Sequence, residues 1–136
     1  MNGRVVVEDG FTFAAPSGWT VAYTPRRVSA RQGEQIVQVT TFPLARPYRP
    51  DLFQHVQPEI DRVATSLKEQ LHATLTKRTP MVAGQRASQY DLVHGNVVEQ
   101  VTFVLRGKRE YQLYCRRAKD ESSAPCERLV SSFTLR

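Results

Sequence analysis

The sequence predicts a single domain of the α+β class: one long amphipathic helix lying on a sheet of antiparallel strands, with a short helix near the C-terminus. Three observations carry this. Between Val56 and Leu75, apolar residues recur at steps of three and four, the signature of a helix with one buried stripe. On both sides of that segment, short runs of β-branched and aromatic residues alternate with Gly, Pro and Asn. The length of 136 residues, with 40% hydrophobic and 24% charged, suits one globular domain spanning residues 1–136.

Taken in order, residues 5–8 are a short β-branched run, and Phe11-Thr12-Phe13-Ala14 alternates aromatic with small or polar side chains. Ala15-Pro16-Ser17-Gly18 sets Pro and Gly at the second and fourth positions of a type I turn. A strand follows with Trp19, Val21 and Tyr23 on one face. Residues 24–33 read as a basic loop. Residues 35–42 (QIVQVTTF) are strongly β-prone, and Pro43, Pro47 and Pro50 end them in an irregular connection.

The helical stripe then runs through Val56, Ile60, Val63, Ala64, Leu67, Leu71 and Leu75, with Leu52 and Phe53 extending it backwards and Asp51 as a candidate N-cap. Inside a helix Pro58 removes a hydrogen bond and clashes with the preceding turn. The pattern therefore favours a short turn at 51–56 and a helix starting at Pro58, over a kinked helix. Glu59 and Asp61 suit the positive end of a dipole beginning there. The helix is expected to end near Leu75.

The remainder reads as an antiparallel meander. Residues 87–93 and 97–105 flank the tight turn His94-Gly95-Asn96, and Arg106-Gly107-Lys108 turns again into residues 110–116. Val97, Val101, Phe103 and Leu105 share one face, as do Tyr111, Leu113 and Cys115; both faces are candidate core. Residues 126–133 are expected to form the short helix, with Leu129, Val130 and Phe133 turned inward. The seven glycines, from Gly3 to Gly107, are spread singly and each reads as a turn, so no phosphate-cradling loop is present.

The charge balance is +6, from nineteen Lys and Arg against thirteen Asp and Glu, with a pI near 9.7. Arg26, Arg27 and Arg31 cluster, and so do Arg106, Lys108, Arg109, Arg116, Arg117 and Lys119. The second group is the candidate patch for an acidic partner or anionic surface, since cations concentrate where anionic groups are dense. No block of five like charges and no glycine–aromatic RNA-binding signature occurs, so specific nucleic-acid recognition is not indicated. No apolar run approaches the 18 or so residues of a membrane-spanning helix, and residues 1–9 hold no signal-peptide core.

No catalytic, cofactor-binding or metal-ligating set emerges. His55, His72 and His94 share no ligand spacing with the two cysteines. There is no nucleophile elbow, no Cys-x-x-Cys and no close carboxylate pair in an apolar setting. Trp19 and Tyr23 read as core, or as aromatics of a pocket or interface. Cys115 and Cys126 fit one disulfide, whose short ring is worth about 3 kcal/mol on the loop-entropy account; they fit a reduced, buried pair as well.

Phe-x-Phe-x-x-Pro-x-Gly-Trp from Phe11 to Trp19, the single long helix, the meander and the closing Leu-Val-Ser-Ser-Phe from Leu129 to Phe133 together resemble the PsbP-like superfamily. The resemblance spans residues 5–135. It implies an α/β/α sandwich with a central antiparallel sheet, helices on both faces, and a non-catalytic role in binding another macromolecule. Residues 110–126 (EYQLYCRRAKDESSAPC) resemble the exported bacterial members, in which a cysteine at the last strand's end pairs with one starting the terminal helix. That implies a Cys115–Cys126 disulfide and an extracytoplasmic protein, secreted or lipid-anchored, whose signal is absent from this chain; free cysteines would imply the cytoplasm. The expected partner is a protein of unknown identity. The alternative, from a second bacterial branch, is a cytoplasmic chaperone for the apolar helices of a type VI secretion effector.

Overall fold

Two hydrophobic cores form on opposite faces of one antiparallel sheet. The computed structural model describes residues 4–136. The chain runs β1 (Arg4–Glu8), β2 (Phe11–Ala15), β3 (Thr20–Thr24), β4 (Arg27–Gln32) and β5 (Gln35–Tyr48). A 3₁₀ turn (Pro50–Leu52) then leads into α1 (Phe53–Leu71). After it come β6 (Thr74–Arg78), β7 (Met81–Val82), β8 (Gln85–Arg86), β9 (Ser88–His94), β10 (Val97–Ala118), α2 (Ala124–Ser132) and β11 (Thr134–Leu135). The main sheet has the order β3-β4-β5-β10-β9-β6; β1-β2-β11 and β7-β8 form two small ones.

β10 is extended throughout its 22 residues but is not straight. A straight strand of that length would span about 70 Å at ~3.3 Å per residue. Instead the Lys119 amide donates to the Asn96 carbonyl across its two ends at 2.9 Å, and the Tyr114 hydroxyl reaches Glu99. The strand therefore doubles back at Gly107, whose φ of 58° suits the turn read from Arg106-Gly107-Lys108. One limb pairs with β9 and the other with β5. Odd-numbered residues of one limb fall opposite even-numbered residues of the other. Val101, Phe103 and Leu105 thus face one core, while Tyr111, Leu113 and Cys115 join Val104 in the other.

The first core joins Phe11, Phe13, Val28, Val37, Val39, Leu113, Leu129 and Phe133, between the main sheet and a layer made of α2 and the β1-β2-β11 sheet. Phe11 stacks on Phe133 and meets Tyr111 edge-on, each at 5.6 Å between ring centres. The second core joins Ile60, Ala64, Tyr90, Leu92, Val101, Phe103 and Leu105 under α1. Helices therefore lie on both faces of a large antiparallel sheet, as the α+β reading and the α/β/α sandwich require.

Several boundaries differ from the sequence reading. The segment taken as a basic loop contains β4, a full partner of β3 and β5, with Val28, Ser29 and Ala30 buried. β5 continues past Pro43 to Tyr48. α1 begins at Phe53 and carries Pro58 in its interior. The proline is exposed, and so is Gln54, whose carbonyl loses its partner, so water can take over that bond. Asp51 does not cap α1; it lies in the 3₁₀ turn, 3.3 Å from Arg49. The helix stops at Leu71 because His72 turns left-handed, and Leu75 belongs to β6 instead of the stripe. Six of the glycines read as turns carry positive φ; Gly3 lies outside the described residues.

Candidate functional site

α1 is held over β9 and β6 by polar ties. Gln57 accepts from Ser88 Oγ at 2.8 Å and from Lys77 Nζ at 2.9 Å, while its own amide donates to the Phe53 carbonyl. Asp61 accepts from Lys77 at 2.7 Å and from the Tyr90 hydroxyl. Burial pushes the Asp61 carboxyl up, but the hydrogen bonds from Lys77 and Tyr90 and the lysine charge hold it below its ordinary value. Burial, and then Asp61 itself, push the Tyr90 phenol up.

This seating leaves the β5 side of the helix open. In β5, residues 44–47 stand opposite Lys108 alone, because Pro43 pairs with Arg109 and Tyr48 with Gly107. Four residues facing one must arch away from the sheet. Between that arch and the first half of α1 lies a groove of about 900 Å³. Leu44, Val56, Ile60, Val63, Phe103 and Leu105 line it, with Arg46, Arg49, His55, Glu59 and Glu110 among its polar lining. Val63, drawn on the buried stripe by its spacing, is 47% exposed.

A second polar cluster, His94–Glu99–Tyr114, ties the limbs of β10 together. His94 Nε2 lies 2.6 Å from one Glu99 oxygen and the Tyr114 hydroxyl donates to the other. Burial first, and then Glu99, push the Tyr114 phenol up. The carboxylate holds both partners, and among the described residues neither line of contacts reaches a serine, threonine or cysteine nucleophile. Among the described residues no group of three His, Cys, Asp or Glu is placed to hold a metal ion.

The candidate residues read from the sequence separate in space. Arg106, Lys108 and Arg109 sit at the turn of β10, and Arg116, Arg117 and Lys119 at its open end, some seven residues or about 23 Å away along the strand. They do not form one patch. Arg117 is committed locally, its Nη1 donating to the carbonyls of Ala118, Lys119 and Glu121. Trp19 packs against the first core, while Tyr23 is 52% exposed on the edge strand β3; neither lines the groove. Cys115 and Cys126 are bonded, joining the end of β10 to the start of α2 with their Cα atoms 5.4 Å apart. Two features escaped the sequence. Leu44 lay in a segment whose prolines spoke for irregular chain. Arg26 lay in the supposed loop, yet the β4–β5–β10 pairing carries it to Lys108 and Arg109, around a smaller pocket of about 300 Å³.

No protein-family model and no curated protein matches the chain. A crystal structure of a protein from Bacteroides thetaiotaomicron VPI-5482, determined at 1.50 Å, is similar with a TM-score of 0.61 and 14% identity. The similarity covers 100% of this chain and 49% of that one. The likeness shows the fold alone. This chain spans about half the length of its neighbour. Among the described residues no helix is long and apolar enough to cross a membrane.

Proposed function

We propose that this domain is a non-catalytic binding module of an exported protein, PsbP-like in kind, that holds an apolar segment of a protein partner in the groove between α1 and the β5 arch. The observation that carries the reading is the groove itself: about 900 Å³, walled by aliphatic and aromatic side chains, with charges near its edge. Such a surface gains free energy by taking an apolar guest out of water, and the polar residues orient it. The buried Cys115–Cys126 disulfide supports export, because a structural disulfide persists in oxidising compartments.

The test is a fluorescence titration with an amphipathic helical peptide and, in parallel, a dye that reports apolar sites. Val63→Asp is expected to abolish both responses while leaving the unfolding midpoint unchanged within error, since Val63 is already half exposed. Saturable binding that survives Val63→Asp and Leu44→Asp would refute the groove reading. The same groove also suits a cytoplasmic chaperone of effector helices. Thiol titration of unfolded, unreduced protein taken from its native compartment separates the two: no free thiol is expected, and two would favour the chaperone.

A further inference from the structure

At the turn end of the sheet, on the face opposite the groove, charged residues from three parts of the chain meet around the pocket of about 300 Å³. Arg26 comes from the β3–β4 turn, Arg27 from the start of β4, and Lys108 and Arg109 from the reversal of β10. Glu8 and Asp9, at the end of β1 and the turn after it, are the acidic members, so three cations meet two carboxylates, because Arg27 alternates with the inward Val28 and turns its side chain to Thr40 on the other face. Phe11, Val28 and Pro43 form an apolar wall beside Thr41.

The frame is rigid. The Thr41 amide donates to the Arg26 carbonyl at 2.8 Å, fixing the β3–β4 turn. Arg109 donates from Nη1 to the Asp9 carbonyl and from Nη2 to the Asp9 carboxylate, each at 3.1 Å. Gly10 allows this approach: a Cβ there would lie 2.6 Å from Arg109 Nη1 and 2.7 Å from the Tyr111 hydroxyl. Arg27 is partly engaged, its Nε donating to Thr40 at 3.0 Å. Arg26 and Lys108 make no side-chain hydrogen bond or ion pair among the described residues, and both are exposed. The Asp9 side chain is 92% exposed, so its pair with Arg109 is weak and open to exchange.

We propose that this pocket binds a phosphate or sulfate monoester, with Arg26, Lys108 and Arg109 around the oxyanion and the Phe11–Val28–Pro43 wall against the carbon skeleton. Guanidinium groups match the oxygens of a tetrahedral anion in paired hydrogen bonds, and a lysine adds a mobile point charge. The volume suits a single headgroup or small ester. The pocket and the groove lie on opposite faces, so the site stands or falls independently of the groove.

The experiment is amide-resolved NMR of the whole chain, titrated with inorganic phosphate against sodium chloride at equal ionic strength. Phosphate is expected to give saturable shifts at Asp9, Arg26, Lys108 and Arg109 that chloride does not reproduce. Arg26→Ala with Lys108→Ala should weaken binding about tenfold or more, and Glu8→Gln should tighten it by removing a like charge. Arg62→Ala, an exposed cation of α1 in neither site, should leave the phosphate titration unchanged. Glycerol 3-phosphate and vesicles containing phosphatidic acid, a lipid phosphate monoester, against phosphatidylcholine alone, separate the two sources of this chemistry. Tighter binding of the soluble ester assigns a free metabolite, and flotation with the anionic vesicles alone assigns a lipid headgroup; both uphold the site. Equal responses to phosphate and chloride, or an unchanged titration in the double variant, overturn it.

Discussion

The two faces of the main sheet are closed in different ways. One is sealed by α2 and the β1-β2-β11 sheet over a continuous aromatic and aliphatic core, with a disulfide pinning α2 to β10. The other is covered by α1 over β6, β9 and the first limb of β10 but not over β5, and Gln57, Asp61, Lys77, Ser88 and Tyr90 tie the helix to β6 and β9. The sealed face stores stability; the half-covered one leaves apolar surface in contact with water, at a cost to stability that makes sense where something else will cover it. The smaller pocket, at the rim of the sealed face, sets Arg26, Lys108 and Arg109 beside a short apolar wall and is a third of the groove's volume.

Core truncation should separate the two faces most. Phe133→Ala, which removes a ring packed against Phe11 and Tyr111, is expected to lower the unfolding free energy by about 3–5 kcal/mol. Leu44→Ala in the groove should cost under about 1 kcal/mol, because that residue is only partly buried. Urea unfolding of both variants checks the contrast; equal losses would mean the two faces are equally closed. Next, Cys115→Ala with Cys126→Ala, or reduction of the wild type, should cost about 3 kcal/mol for an eleven-residue separation, read as a lower urea midpoint. Gly10→Ala should cost about 2 kcal/mol, since the added Cβ meets Arg109 and Tyr111 at a φ of 95°.

The smallest effect is the most specific to α1. Asp61→Asn should cost no more than about 1 kcal/mol near neutral pH, because the carboxylate is 47% exposed and its ion pair is screened. The folded protein holds the Asp61 carboxyl below its ordinary value, so its contribution is present above the unfolded carboxyl's value, near 3.9, and fades as pH falls through the lower, folded value. Urea midpoints of wild type and variant should therefore converge below about pH 4. A gap that widens on acidification would contradict the Lys77–Asp61–Tyr90 arrangement.

Much of the architecture was legible because periodicity reports which side chains leave water. The Val56–Leu71 stripe, the His94-Gly95-Asn96 and Arg106-Gly107-Lys108 reversals, and the inward Leu129 and Phe133 all follow from that rule. Errors fell where local chemistry competes with tertiary contacts. Thr24–Gln32 is polar and basic, yet Arg27–Gln32 becomes a strand because β3 and β5 complete its hydrogen bonds on both sides. Pro58 argued for a helix start, yet the helix runs through it because the lost bond faces solvent. Leu75 continued the spacing, yet the left-handed His72 ended the helix first.

Composition and spacing alone determined an α+β chain with a single helical stripe, paired antiparallel strands and a basic surface, because burial patterns are written locally, residue by residue. Which cations share a pocket, which leucine walls a groove and where α1 stops covering the sheet were decided only by the fold. Arg26 and Lys108 stand 82 positions apart, and only the pairing of β4 and β10 with β5 brings them together. No period in the chain encodes a neighbour at that distance.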